Sequence, residues 1–213
     1  MKTLTANPYT NESLNNIYEL LFCDEPELFR PDKKDKLEYP RDILFAKEPD
    51  IESLLEITND PTLETRIKLL AHRILAENGY DEGSKELLGM IIEVGMDEGL
   101  DVLAAYKDGS ARYINFSENI IFWDAATEKS DALIKNLFVS GLEVVKNIGP
   151  WTDKRLAAPE RGMVRLSFLV ADGLYFGQGP FELLANDKMG GPVIAAATEL
   201  MVFMTEQGRE SGR

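Results

Sequence analysis

Arg112, Tyr113 and Asn115 sit together on one strand-like run of this chain, and Arg165, Tyr175 and Gln178 recur on two later ones. A guanidinium fork recognises a carboxylate or phosphate through parallel N–H bonds, while tyrosine and glutamine add flat contact area and a directional amide. If these side chains line one concavity, they are candidate ligand-binding residues for an anionic small molecule. Two glycine-proline elements extend the set. Gly177-Gln178-Gly179-Pro180 and Gly190-Gly191-Pro192 each lead into a predicted helix with proline at its first position. Unpaired N–H groups face outward at such a start, and a glycine such as Gly179 or Gly191 permits close approach of an anion. Neither element carries the Gly-Lys-Ser/Thr of a phosphate-binding loop or a dinucleotide fingerprint, and turn and capping needs alone produce the same pattern. Core aromatics and edge arginines are likewise the ordinary explanation for the strand residues.

Other chemistries find little support. His72 is the sole histidine and Cys23 the sole cysteine. On a helical wheel His72 lies opposite Leu63 and Ile74, which puts it on a solvent face, and no second histidine exists for a His-rich metal site or a conventional triad. Cys23 follows Leu20-Leu21-Phe22 at the end of a predicted helix, the setting of a buried small hydrophobe, where the helix dipole disfavours a thiolate. A single cysteine also excludes an intramolecular disulfide and any cysteine-clustered zinc or iron–sulfur site. Asp97, Glu98, Asp101, Asp108 and Asp124 gather near strand ends, but without EF-hand spacing, and turn aspartates bond their own backbone. The sequence thus predicts no metal and no cofactor, names no catalytic residue, and leans away from an enzyme.

The elements that must position these residues fall into two regions. Helical spacing of Leu14, Ile17, Tyr18 and Leu21 follows Thr10 and Asn11, either of which can cap. Four prolines and the Asp32-Lys33-Lys34-Asp35-Lys36 run mark residues 25–49 as a surface crossing. Asp50 caps a short helix, Asp60-Pro61 opens another, and Gly79 ends it, so residues 50–78 form an αα-hairpin. From residue 87 to 123, Asp97-Glu98-Gly99, Lys107-Asp108-Gly109 and Ser117-Glu118-Asn119 punctuate four strand-like runs, the signature of an antiparallel meander. On its first strand Leu88, Met90, Ile92 and Val94 share one face and Leu87, Gly89, Ile91 and Glu93 the other. Both faces are apolar enough to require helices or a partner chain against each. A helix over 131–148 follows, with Gly141 marking close packing, then a hairpin over 163–177, a short helix at 181–185 and a final one over 192–206 that is apolar nearly all round.

Composition bounds the rest. A chain of 213 residues with 44% hydrophobic content fills a sizeable core. Its formal net charge of -14 repels nucleic acid and anionic membrane surfaces. The polar first ten residues, the lack of a spanning apolar run and the lone cysteine place it in the cytoplasm. The expected fold is α+β: an antiparallel β-meander extended by a second hairpin and packed by helices. Residues 1–80 form an N-terminal helical region, 81–207 an α+β domain and 208–213 a flexible tail, or the whole is one compact domain. Function reads best as a non-catalytic binding or assembly module that uses the sheet and C-terminal helix to meet a protein partner or a second copy as a homodimer. The alternative is a receptor or enzyme that holds an anionic ligand at the Gly-Pro helix starts with strand-borne arginines.

Overall fold

Local signals set the helix boundaries in the computed structural model, which describes residues 7–31, 36–80 and 83–211. Residues 32–35 of the charged run and 212–213 of the expected tail therefore lie outside the described residues, as do 1–6 and 81–82. Helix α1 (Glu12–Leu20) begins where the Asn11 side chain accepts the Ser13 N–H at 2.9 Å. A single turn, α2 (Arg41–Leu44), breaks the surface crossing. Asp50 caps α3 (Ile51–Asn59) by accepting from Ser53 N–H at 2.9 Å. Helix α4 (Thr65–Glu77) starts later than proline placement predicts. Asp60 accepts the Thr62 N–H at 2.8 Å, so Asp60-Pro61 is held in a side-chain-closed turn that precedes the helix instead of opening it. Gly79, with φ +77°, ends α4 as expected.

Strands β1 (Leu87–Gly95), β2 (Leu100–Tyr106), β3 (Ala111–Ile114) and β4 (Ile120–Trp123) form the meander, and every neighbouring pair is antiparallel. Helix α5 (Glu128–Val145) follows, its first turn closed by reciprocal Thr127 and Ser130 bonds of 3.0 Å. Strands β5 (Met163–Val170) and β6 (Gly173–Pro180) then add to the free edge of β1, giving the order β4-β3-β2-β1-β5-β6. Helix α6 (Phe181–Ala185) is one short turn, and α7 (Gly190–Ser211) closes the chain, continuing past residue 206 into the stretch read as a tail.

The fold is α+β, with helices on both faces of the sheet. One core packs Leu54, Leu70 and Leu21 from the N-terminal helical region onto Leu88, Ile91, Val102 and Ile114. The other packs Leu137, Leu200 and Met204 of α5 and α7 onto Met90, Ile92, Leu103 and Phe168. The assignment of faces on β1 differs from strict alternation at one point. Leu87 lies with Met90, and Leu88 with Ile91, because the β1–β5 register steps from Leu87↔Val170 directly to Gly89↔Leu169. One extra β1 residue in this bulge reverses the phase, and period-two reading cannot see it. Among the described residues no helix is long and apolar enough to cross a membrane.

Candidate functional site

Arg165 sits midway along β5, directly opposite Glu93 of β1, on the face covered by α1. Both are fully buried, at 2% and 0% exposure. The guanidinium donates from Nε to the Gln178 side-chain oxygen at 2.8 Å, from Nη1 to the Leu156 carbonyl at 3.1 Å, and from Nη2 to the Ala157 carbonyl. Its Nη1 is 3.6 Å from Glu93 Oε2, which accepts no hydrogen bond among the described residues. Tyr18 on α1 donates its hydroxyl to Glu93 Oε1 at 2.6 Å. Burial pushes the Glu93 carboxyl above its ordinary range, against the pull of Arg165 and the Tyr18 bond. Beside them Arg155 pairs with Asp24 at 2.8 Å and with Glu19, and its guanidinium lies 3.8 Å over the Phe22 ring. Arg165 and Gln178 stand out in the sequence as candidate ligand-binding residues, and the structure bonds them to the protein's own groups; Glu93, Tyr18 and Arg155 were missed. The available signal was one lone acid in the apolar run of β1 and one lone base in that of β5, which a cross-strand ion pair satisfies.

The remaining predicted residues disperse. Arg112, on β3, donates to the Ala111 and Trp123 carbonyls at 2.8 and 3.2 Å, pairs with Asp124 at 2.7 Å and covers the Phe122 ring. It therefore ties β3 to the end of β4 and to Asp124 just beyond it. Three strand spacings, about 14 Å, separate its strand from that of Arg165, so the two forks do not converge. Tyr113 points to the opposite face and donates to Asp101 Oδ2 at 3.1 Å. Asn115 belongs to the β3–β4 turn, where its side-chain oxygen accepts from Asn119 N–H at 2.9 Å. Tyr175 donates to Asp172 at 2.8 Å, and burial together with that bond pushes its hydroxyl up to about 12.

The Gly-Pro starts differ: at α6 the Phe181 N–H donates to the Gly162 carbonyl at 2.9 Å, with no side-chain cap among the described residues. At α7 the Asp187 carboxylate accepts the N–H groups of Met189 and Gly190, each at 2.8 Å, and these bonds hold it below the ordinary carboxylate range. The anion at this helix start is the chain's own. Gly191 serves packing, since a Cβ there would lie 2.7 Å from the Ala185 carbonyl oxygen, and Gly179 faces Leu184. The α6 start leads into only five residues.

His72 is buried at 8% exposure, not on a solvent face. The wheel fails because α4 is wedged between α3 on one side and the sheet on the other, which leaves little of its circumference open. His72 lines a cleft of about 290 Å³ with Tyr80, Ser84 and Asp172. Cys23 is buried, and desolvation pushes its thiol up. A second concavity, a groove of about 70 Å³, opens on the other side of the sheet. Its floor is Ile92, Val94 and Leu103, and Ile194, Ala197 and Met201 of α7 form its wall. Phe181, Thr198, Tyr113 and Asp101 complete it. Neither concavity is lined by Glu93 or Arg165. Among the described residues no group of three His, Cys, Asp or Glu side chains is arranged to hold a metal. No family model, curated protein or solved structure matches the chain.

Proposed function

We propose that this protein is a non-catalytic binding or assembly module, receiving apolar side chains of a protein partner in the groove between α7 and the adjoining ends of β1, β2 and β3. One observation carries the reading. That groove is lined mainly by aliphatic side chains beside α7, while the strand-borne arginines that could have served a ligand are paired with carboxylates of the protein itself. At about 70 Å³ it is far below the roughly 300 Å³ at which small-molecule pockets begin, and it suits one anchoring side chain of a larger surface.

Thr198 lines the groove from an exposed position on α7, so Thr198→Trp roofs it without disturbing the core. Peptides selected from a random display library against the wild-type protein are expected to bind it in solution and to lose about tenfold or more against the variant, the worth of one buried side chain. Selected peptides that bind both proteins equally, or a selection without binders, would sink the reading. Light scattering on the same two proteins shows whether the partner is a second copy, as a dimer that Thr198→Trp disperses.

A further inference from the structure

The groove's electrostatics narrow the partner further, on the strength of the binding reading above. Asp101 is its only ionised lining residue, and the two groups bonded to it, the Tyr113 hydroxyl and the Phe116 N–H, are neutral. Among the described residues no cation lines the groove beside it. Asp97 and Glu98 occupy the turn between β1 and β2 just beyond Val94, where Arg161 offsets Asp97 alone. No lining residue is cationic, and the whole chain carries -14. An aliphatic floor beside the Asp101 carboxylate selects a partner of opposite charge, and a second copy would set two acidic molecules against each other.

We propose that the groove binds a cationic amphipathic segment of a partner protein, with one large aliphatic side chain seated between α7 and the strands and a lysine or arginine beside it on Asp101. The aliphatic anchor supplies the contact, and the charge supplies encounter rate and discrimination.

Fluorescence anisotropy with three fluorescein-labelled peptides tests this: an amphipathic Leu/Lys helix, the same peptide with Leu replaced by Ser, and the same peptide with Lys replaced by Glu. The Leu/Lys peptide should bind, the Ser peptide about tenfold or more weakly, and the Glu peptide not measurably. Thr198→Trp should weaken the Leu/Lys peptide by a similar factor. Asp101→Asn, which keeps an acceptor for the Tyr113 hydroxyl and the Phe116 N–H, should weaken it severalfold at low salt and less as ionic strength rises. Equal binding of the Glu and Lys peptides overturns the cationic assignment while leaving the groove as a binding site. Equal binding of the Leu/Lys peptide to wild type and Thr198→Trp means that net charge alone holds it, and this also overturns the proposal, as does the absence of binding by all three. The display selection fails separately, because it imposes no charge on its peptides.

Discussion

The Glu93 carboxyl faces Arg165 across two paired strands, under α1, with one oxygen lacking a hydrogen bond among the described residues. Removing it by Glu93→Ala leaves a buried guanidinium without its counter-charge, a loss expected to cost about 3–5 kcal/mol in denaturant unfolding. Glu93→Gln keeps the shape and an acceptor for the Tyr18 hydroxyl, so it isolates the charge. Because the folded carboxyl titrates above its unfolded value, the native state holds that proton more tightly than the unfolded chain. The contribution of Glu93 is thus fully present below the unfolded pKa and is lost as pH rises through the folded one. Wild type should gain stability relative to Glu93→Gln as pH falls from neutrality towards the range of an unfolded carboxyl, whatever the other carboxylates do to both proteins. A difference that is flat, or that grows with pH, would show the carboxylate to be better held than its burial implies. At this scale the sequence told half the story. Arg165 stood out as a strand-borne charge, but its partner was hidden in an apolar run whose pairing only the sheet order reveals. Asp187 was hidden for another reason: a capping carboxylate three residues before Gly190 looks like any loop acid until the helix start is fixed.

Elements were more legible than their phases. The meander, the hairpin and the closing helices follow from turn chemistry and periodicity, whereas the β1 bulge swaps the faces of Leu87 and Leu88 and leaves no mark in composition beyond Gly89. Gly141 is the opposite case, a position where the sequence did signal close packing. A Cβ on it would lie 2.5 Å from Met90 Sδ and 3.2 Å from Leu87 Cδ2, both in the core between α5 and β1. Alanine at this site gains about 1 kcal/mol of helix propensity and meets an overpacking cost of about 1–3 kcal/mol. Overpacking should win, since Met90 is fully buried and cannot swing into solvent. Gly141→Ala is expected to lower the denaturation midpoint at unchanged slope. Adding Met90→Val, which removes the colliding sulfur and terminal methyl, should make the two changes non-additive in the direction of rescue. A stabilised Gly141→Ala would mean that α5 can lift from β1 freely.

For the whole molecule, the two apolar faces of the meander predicted the three layers, because neither face could remain wet. Strand order was beyond reach, since an added hairpin can pair with β1 or β4; in the fold it pairs with β1, where Glu93 meets Arg165. These contacts also bear on whether residues 1–80 stand apart. Tyr106 on β2 donates its hydroxyl to the Leu21 carbonyl at 2.7 Å, Tyr18 reaches Glu93, and Asp108 accepts the Thr65 N–H at 2.7 Å, so buried polar bonds join the N-terminal helices to the sheet along its breadth. The two cores meet only through the sheet, whose strands contribute to both. Neither helical layer can then dissociate without exposing a full apolar face, which favours a single cooperative transition. The chain's two tryptophans report on opposite faces: Trp123 packs on Phe203 of α7, and Trp151 packs on Phe176 beside Arg165. Single-tryptophan proteins made by Trp123→Phe and Trp151→Phe should each unfold in urea with fluorescence and circular dichroism curves that coincide. The layers would be independent folding units if, within either protein, the local fluorescence transition separated from the global loss of helix. Coincidence would instead mean that the helical cap is held as part of the sheet's own fold, so that groove binding on the α7 side stabilises α1 and α4 as much as the helix it touches.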